Sequence, residues 1–164
     1  MAAALPSDKQ VYPPLLEVGF HTLSMADLRQ LCVDAFPKSR SRAKLSAGFE
    51  KVLERVRASG LRCEVWVNGS YLTRKIDPDD VDFIVRFEAE VVENANEEQE
   101  AAIGFLTSDL SEHGCHSFVH IEYPKDHPHH WLGVWMQAYW LKQWGFARDD
   151  SMKGIAVIKI GIEE

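Results

Sequence analysis

The chain has 164 residues, 46% of them hydrophobic and 26% charged, which suits one globular domain with a core large enough to need no staples. A net charge of −7 argues against non-specific binding of double-stranded DNA, for which a broad basic stripe is usual, and leaves a local RNA contact open. No apolar run reaches the length of a membrane span, and the opening Met1-Ala2-Ala3-Ala4-Leu5-Pro6 lacks the basic region and apolar core of a signal peptide. With Cys32, Cys63 and Cys115 read as free buried thiols, a cytoplasmic protein with no membrane partner is expected.

Residues 1–22 hold three of the seven prolines and little periodicity, and read as an extended N-terminal arm. Residues 23–164 then form a single domain. Ser24 is a good N-cap for a helix carrying Met25, Leu28, Leu31, Cys32 and Ala35, which Pro37 ends. Lys38, Arg40, Arg42 and Lys44 lead into a second helix from Ser41 to Ser59, and read as its solvated entrance. Leu45, Phe49, Val52, Leu53 and Val56 share one face, and Gly60 is the stop. Arg62 to Val67 and Val81 to Phe87 are rich in β-branched residues, flanked by turn residues, and read as strands. An acidic loop from Glu88 runs into a helix over Glu97 to Leu110, its apolar face including Ala101, Phe105 and Leu110. His116 to Tyr123 is the third strand. Trp131 to Trp144 holds four of the five tryptophans and reads as a helix buried on more than one side. Ile155 to Ile162 is the last strand. The expected fold is α/β in the α+β sense: a mixed sheet of about four strands flanked by helices. Neither a Walker A loop nor Gly-x-Gly-x-x-Gly is present.

The most specific pattern lies between the first two strands. Gly69-Ser70 closes one, nine residues follow, and Asp80-Val81-Asp82 opens the next. Residues two apart on a strand project to the same side, so Asp80 and Asp82 can share a hard divalent cation such as Mg2+ or Mn2+. Gly69 permits a positive φ and close backbone approach, and Ser70 offers N–H and hydroxyl to phosphate oxygens. Thr73 and Lys75 lie just beyond, where Lys75 can neutralise triphosphate charge. The plain alternative is a solvated strand entrance, because Asp77-Pro78-Asp79-Asp80 is also turn chemistry.

Gly-Ser, a spacer of this length and hydrophobic-Asp-x-Asp-hydrophobic resemble the signature of the polymerase-β-like (minimal) nucleotidyltransferase superfamily. Gly19-Phe20-His21, Thr73 to Lys75, Pro78 to Asp82 and Lys153-Gly154-Ile155 look like a bacterial group of small nucleotidyltransferase-like proteins. The resemblance implies a nucleotidyltransferase-like fold and magnesium-dependent transfer of a nucleoside monophosphate from a nucleotide-binding site for an NTP, such as ATP, to an acceptor hydroxyl. Asp80 and Asp82 would be metal-binding and catalytic, with Gly69, Ser70, Thr73 and Lys75 on the substrate. The acceptor would be RNA, protein or a small molecule, and a place in a toxin–antitoxin or defence module with a partner protein is implied. A catalytically impaired binding module acting through a partner is the alternative.

The resemblance also calls for a third acid on a neighbouring strand. Glu122 is the one acid on the His116-Phe118-His120-Glu122 face of the third strand. If that strand runs antiparallel to the second, Glu122 comes level with Asp82. If it runs parallel, His116 or His120 lies there. Glu163 on the last strand is a weaker substitute. His113, His116 and His120, or His127, His129 and His130, lack the spacing of a zinc site and read as loop and cleft residues.

Overall fold

Strand alternation sorts two cores of unequal size onto the two faces of one sheet. The computed structural model describes residues 9–162. Five strands, β1 (Gly19–Thr22), β2 (Cys63–Asn68), β3 (Val81–Glu88), β4 (Cys115–Glu122) and β5 (Gly154–Ile160), lie in the order β1-β5-β2-β3-β4. The β2–β3 and β2–β5 pairs are antiparallel, and β1–β5 and β3–β4 are parallel.

On one face Val65, Val67, Val81, Phe83, Val85, Ala156 and Ile158 pack beneath helices α1 (Met25–Arg29) and α2 (Arg42–Ala58) and, further along the chain, α4 (Glu97–Leu106). Ser24 caps α1 as its composition predicts: its hydroxyl accepts from the Asp27 N–H at 3.0 Å while the Asp27 carboxylate accepts from the Ser24 N–H at 3.1 Å. The helix continues as a π-helical stretch over Gln30–Asp34. A short helix, α3 (Ala89–Glu93), occupies the acidic segment read as a loop. The buried residues of α4 are Ala102 and Leu106, one position on from the expected Ala101 and Phe105, so its inward stripe is rotated.

On the other face Trp66, Ile84, Ile155 and Val157 meet a single helix, α5 (His130–Gly145), through Trp140 and Trp144. Trp131 and Trp135 are exposed, so α5 is buried on one side rather than several. The fifth strand is the other departure from expectation. Gly19–Thr22, read as the end of an arm, pairs with β5 and edges the sheet. Four residues are too few for a periodic signal, and only the β5 partner makes them a strand. The first eight residues of the expected arm, and Glu163, lie outside the described residues. Among the described residues no helix is long and apolar enough to cross a membrane.

This topology gathers several chain segments at one sheet edge. β2 ends there, while β3, β4 and β5 begin there. Residues remote in sequence, from Asn68 to Lys153, therefore become neighbours.

Candidate functional site

The turn after β2 is built around Gly69. Asn68 is buried; its side-chain NH2 donates to the Trp144 carbonyl and, at 3.3 Å, to the Gly154 carbonyl, while its Oδ1 accepts from the Gly69 N–H at 2.6 Å. One side chain thus ties the end of α5 and the start of β5 to the turn. Gly69 has φ +76°, and a Cβ there would press into the Asp82 carboxylate. Its close approach is to Asp82, across the hairpin, where Asn68 pairs in register with Asp82.

Ser70 opens a 3-10 turn through Leu72 and lines the cleft beside Gly69. The Thr73 hydroxyl donates to the Ser70 carbonyl at 2.7 Å and accepts from the Lys75 N–H at 3.2 Å. Thr73 is buried, so it shapes the turn rather than presenting a free hydroxyl to substrate. Lys75 lies on the cleft wall, with its Nζ 3.1 Å from an exposed Asp79 carboxylate oxygen.

Beneath this turn lies a residue that the sequence reading assigned to solvent. Arg42 is wholly buried. Its guanidinium donates to the carbonyls of Cys32, Tyr71, Thr73 and Lys75 at 2.6–3.2 Å and stacks 3.8 Å from the Phe36 ring centroid. All five N–H groups are satisfied by backbone oxygens, the condition for burying a charge. Asp77 closes the same junction by accepting from the Arg40 N–H at 2.6 Å and the Ser39 hydroxyl at 3.0 Å. A buried arginine in a run of cations has no signature in composition.

Asp80 and Asp82 both line a cleft of about 660 Å³ together with Gly69, Ser70 and Lys75. Burial, and then the neighbouring Asp80 charge, raise the Asp82 carboxyl above the usual carboxylate range. The Asp82 side chain is still 29% exposed, its Oδ1 3.5 Å from His116 Nδ1. Cationic residues to which the sequence reading gave no site role also line the cleft: Lys9, Arg148 and Lys153, the last named there only as part of Lys153-Gly154-Ile155. Burial lowers Lys153, opposed by the nearby Asp82 charge. Its place before Gly154 at the start of β5 was a readable signal, once the start of β5 is known to lie beside the end of β2. A second cleft of about 430 Å³ shares Gly69, Asp82, His116, Arg148 and Lys153.

The parallel β3–β4 pairing decides the third position. Asp82 stands opposite His116, whereas Glu122 stands opposite Glu88 at the far end. Glu122 bonds Arg86 there at 2.9 Å and takes no part in the site, which corrects the expectation of a third acid on β4. His120 stands opposite Arg86 and is buried; burial and then Arg86 push it down to about 4. His116 is therefore the histidine that faces the cleft.

Among the described residues no group of three or more His, Cys, Asp or Glu side chains forms a metal-ligand set. Asp80 and Asp82 supply two hard oxygen donors whose mutual repulsion is only partly offset by Lys153 and His116. That donor set fits a divalent cation such as Mg2+ or Mn2+, which binds through one or two carboxylates and keeps positions for water and phosphate. The chain belongs to a family of unknown function, DUF6932, whose profile matches residues 10–159. No curated protein and no solved structure matches it.

Proposed function

We propose that this member of DUF6932 is a metal-dependent nucleotidyltransferase that moves a nucleoside monophosphate from an NTP to an acceptor hydroxyl. The observation carrying this reading is the convergence of Gly69, Ser70, Asp80 and Asp82 on one cleft that Lys9, Lys75, Arg148 and Lys153 also line. Asp80 and Asp82 would hold the divalent ion, which when bound polarises phosphate oxygens. Lys75, Arg148 and Lys153 would screen the triphosphate charge, and the Gly69–Ser70 backbone would lie against a phosphate. The new bond joins the acceptor oxygen to the α-phosphorus, the bond to pyrophosphate breaks, and the hydroxyl proton passes to a base at the cleft. His116, beside Asp82, is the side chain suited to take it.

A groove of about 740 Å³ runs along β4 and shares Asp80 and His116 with the cleft. Asp79, Asp80 and Asp109 line it, with no Lys or Arg among the described residues there, which suits an uncharged or cationic acceptor better than a polyanion. A protein or small-molecule acceptor is favoured over RNA on that ground. One observation favours a second reading, a binding module that acts through a partner protein: an imidazole stands where the resemblance calls for a carboxylate.

The test is incubation with Mg2+, labelled NTPs and total cellular protein or RNA, beside the Asp80→Ala/Asp82→Ala variant. Pyrophosphate release and label transfer that vanish in the variant support transfer. Metal-dependent NTP binding with no release across all acceptors supports the binding module. Absence of any NTP binding sinks the transferase reading.

A further inference from the structure

α5 covers the sheet with one side, and among the described residues nothing packs on the other. On that outer side Trp131 is 66% exposed, Val134 53%, Trp135 64% and Tyr139 45%, and Ala138 and Lys142 complete the stripe. At 3.6 residues per turn these six positions fall within an arc of about 140°. Their spacing is that of a helix–helix seam, not of scattered surface side chains. At ~150–250 Å² for each aromatic side chain, the stripe presents on the order of 500 Å² of apolar surface. A standard interface buries roughly 800 Å² per partner, a little over half of it apolar, so the stripe alone supplies the apolar part.

We propose that this face of α5 pairs with the same face of a second copy of the chain, antiparallel, about a two-fold axis between Met136 and Gln137. The order of residues carries the inference. Trp135 and Ala138 are equidistant from that midpoint, as are Val134 and Tyr139, and Trp131 and Lys142. A two-fold axis there brings each residue level with its mate from the second copy, as an isologous contact requires. Trp135 then lies over Ala138, large on small, while Val134 and Tyr139, at the two edges of the arc, flank the seam. The Trp131 indole meets the Lys142 ammonium, a favourable cation–π pairing.

Charge agrees with this arrangement. The chain carries −7 overall, yet α5 holds no acidic residue and its one formal charge is Lys142. Two such chains can therefore approach along this helix without opposed acids. Lys142 now bonds Asp150 at 2.7 Å and lies 4.3 Å from the Phe146 ring centroid; the ion pair is exposed and gives little resistance, and the Trp131 contact would exchange one cation–π partner for another.

The experiment is sedimentation equilibrium on the full chain over micromolar to millimolar concentrations, with circular dichroism to confirm that each variant is folded. The wild type should dimerise. Trp135→Ala empties the contact and Ala138→Trp crowds it, so each should raise the dimer dissociation constant at least about tenfold. The double variant Trp135→Ala/Ala138→Trp exchanges large and small across the axis and should recover most of that loss. A wild type that stays monomeric throughout overturns the proposal, as does a dimer indifferent to the single substitutions. A folded double variant no better than the singles overturns the two-fold register.

Discussion

Asp82 and His116 stand opposite one another across the parallel β3–β4 pair, carboxylate Oδ1 3.5 Å from imidazole Nδ1. Burial and Asp80 raise the Asp82 carboxyl above its ordinary 3.8, despite the opposing pull of His116. A raised carboxyl binds its proton more tightly in the folded state than in the unfolded one. Its stabilising contribution is therefore complete below the unfolded value and is lost as pH rises through the folded one.

Asp82→Asn should then stabilise the protein at neutral pH by up to about 1 kcal/mol, with the gain vanishing in acid below the ordinary carboxylate range. Urea denaturation at several pH values measures this. Mg2+ should raise the wild-type melting temperature and leave that of Asp82→Asn unchanged. A variant less stable than wild type at neutral pH contradicts the electrostatic account.

Gly69 and Gly104 should respond to alanine in opposite directions. Gly69 has φ +76° and abuts the Asp82 carboxylate, so Gly69→Ala should cost roughly 1–3 kcal/mol and abolish Mg2+-dependent stabilisation. Gly104 lies within α4 with nothing near its missing Cβ, so Gly104→Ala should add about 0.5–1 kcal/mol. Thermal melts of the two variants side by side check the contrast.

Arg42→Lys should be severe although it keeps the charge. An ammonium has three donors where the guanidinium places five, leaving carbonyls of the Tyr71–Lys75 turn without partners. A loss of about 3–5 kcal/mol is expected from chemical denaturation. If enough folded protein remains, its nucleotide affinity should fall as well, because the turn carrying Ser70 loses its support. A near-neutral effect would show that Arg42 does not hold the turn.

Glu122→Ala supplies the converse. Its exposed pair with Arg86 should be worth less than about 1 kcal/mol, since Arg86 keeps Glu64 at 3.0 Å. Nucleotide binding and any transfer should be unchanged, measured by calorimetry and label incorporation. Lost binding would return Glu122 to the site.

The hairpin at the heart of the site was legible because its cues are local. Gly69-Ser70 ends β2, Asp80-x-Asp82 begins β3, and antiparallel neighbours joined by a short connection meet at one edge. Period-2 alternation holds along β3 in the fold, where Phe83 and Val85 face the larger core while Asp82 lines the cleft. Arg42 was not legible, because alternation and charge density describe a segment's average exposure and not the four carbonyls that receive one side chain. β1 and the bare outer side of α5 escaped for a related reason: a four-residue strand needs its partner to exist, and tryptophan spacing cannot say which side of a helix the sheet covers.

The chain's own order of residues therefore decided that two carboxylates and a glycine turn share a sheet edge, since both depend on backbone geometry within twenty residues. Tertiary structure decided their company. Whether β4 runs with or against β3 is set by how the intervening helices pack on the far face, and the parallel direction brings His116 to Asp82 and carries Glu122 to the opposite end. The start of β5 brings Lys153 in the same way, across more than eighty residues of chain, because strand pairing obeys space and not sequence distance.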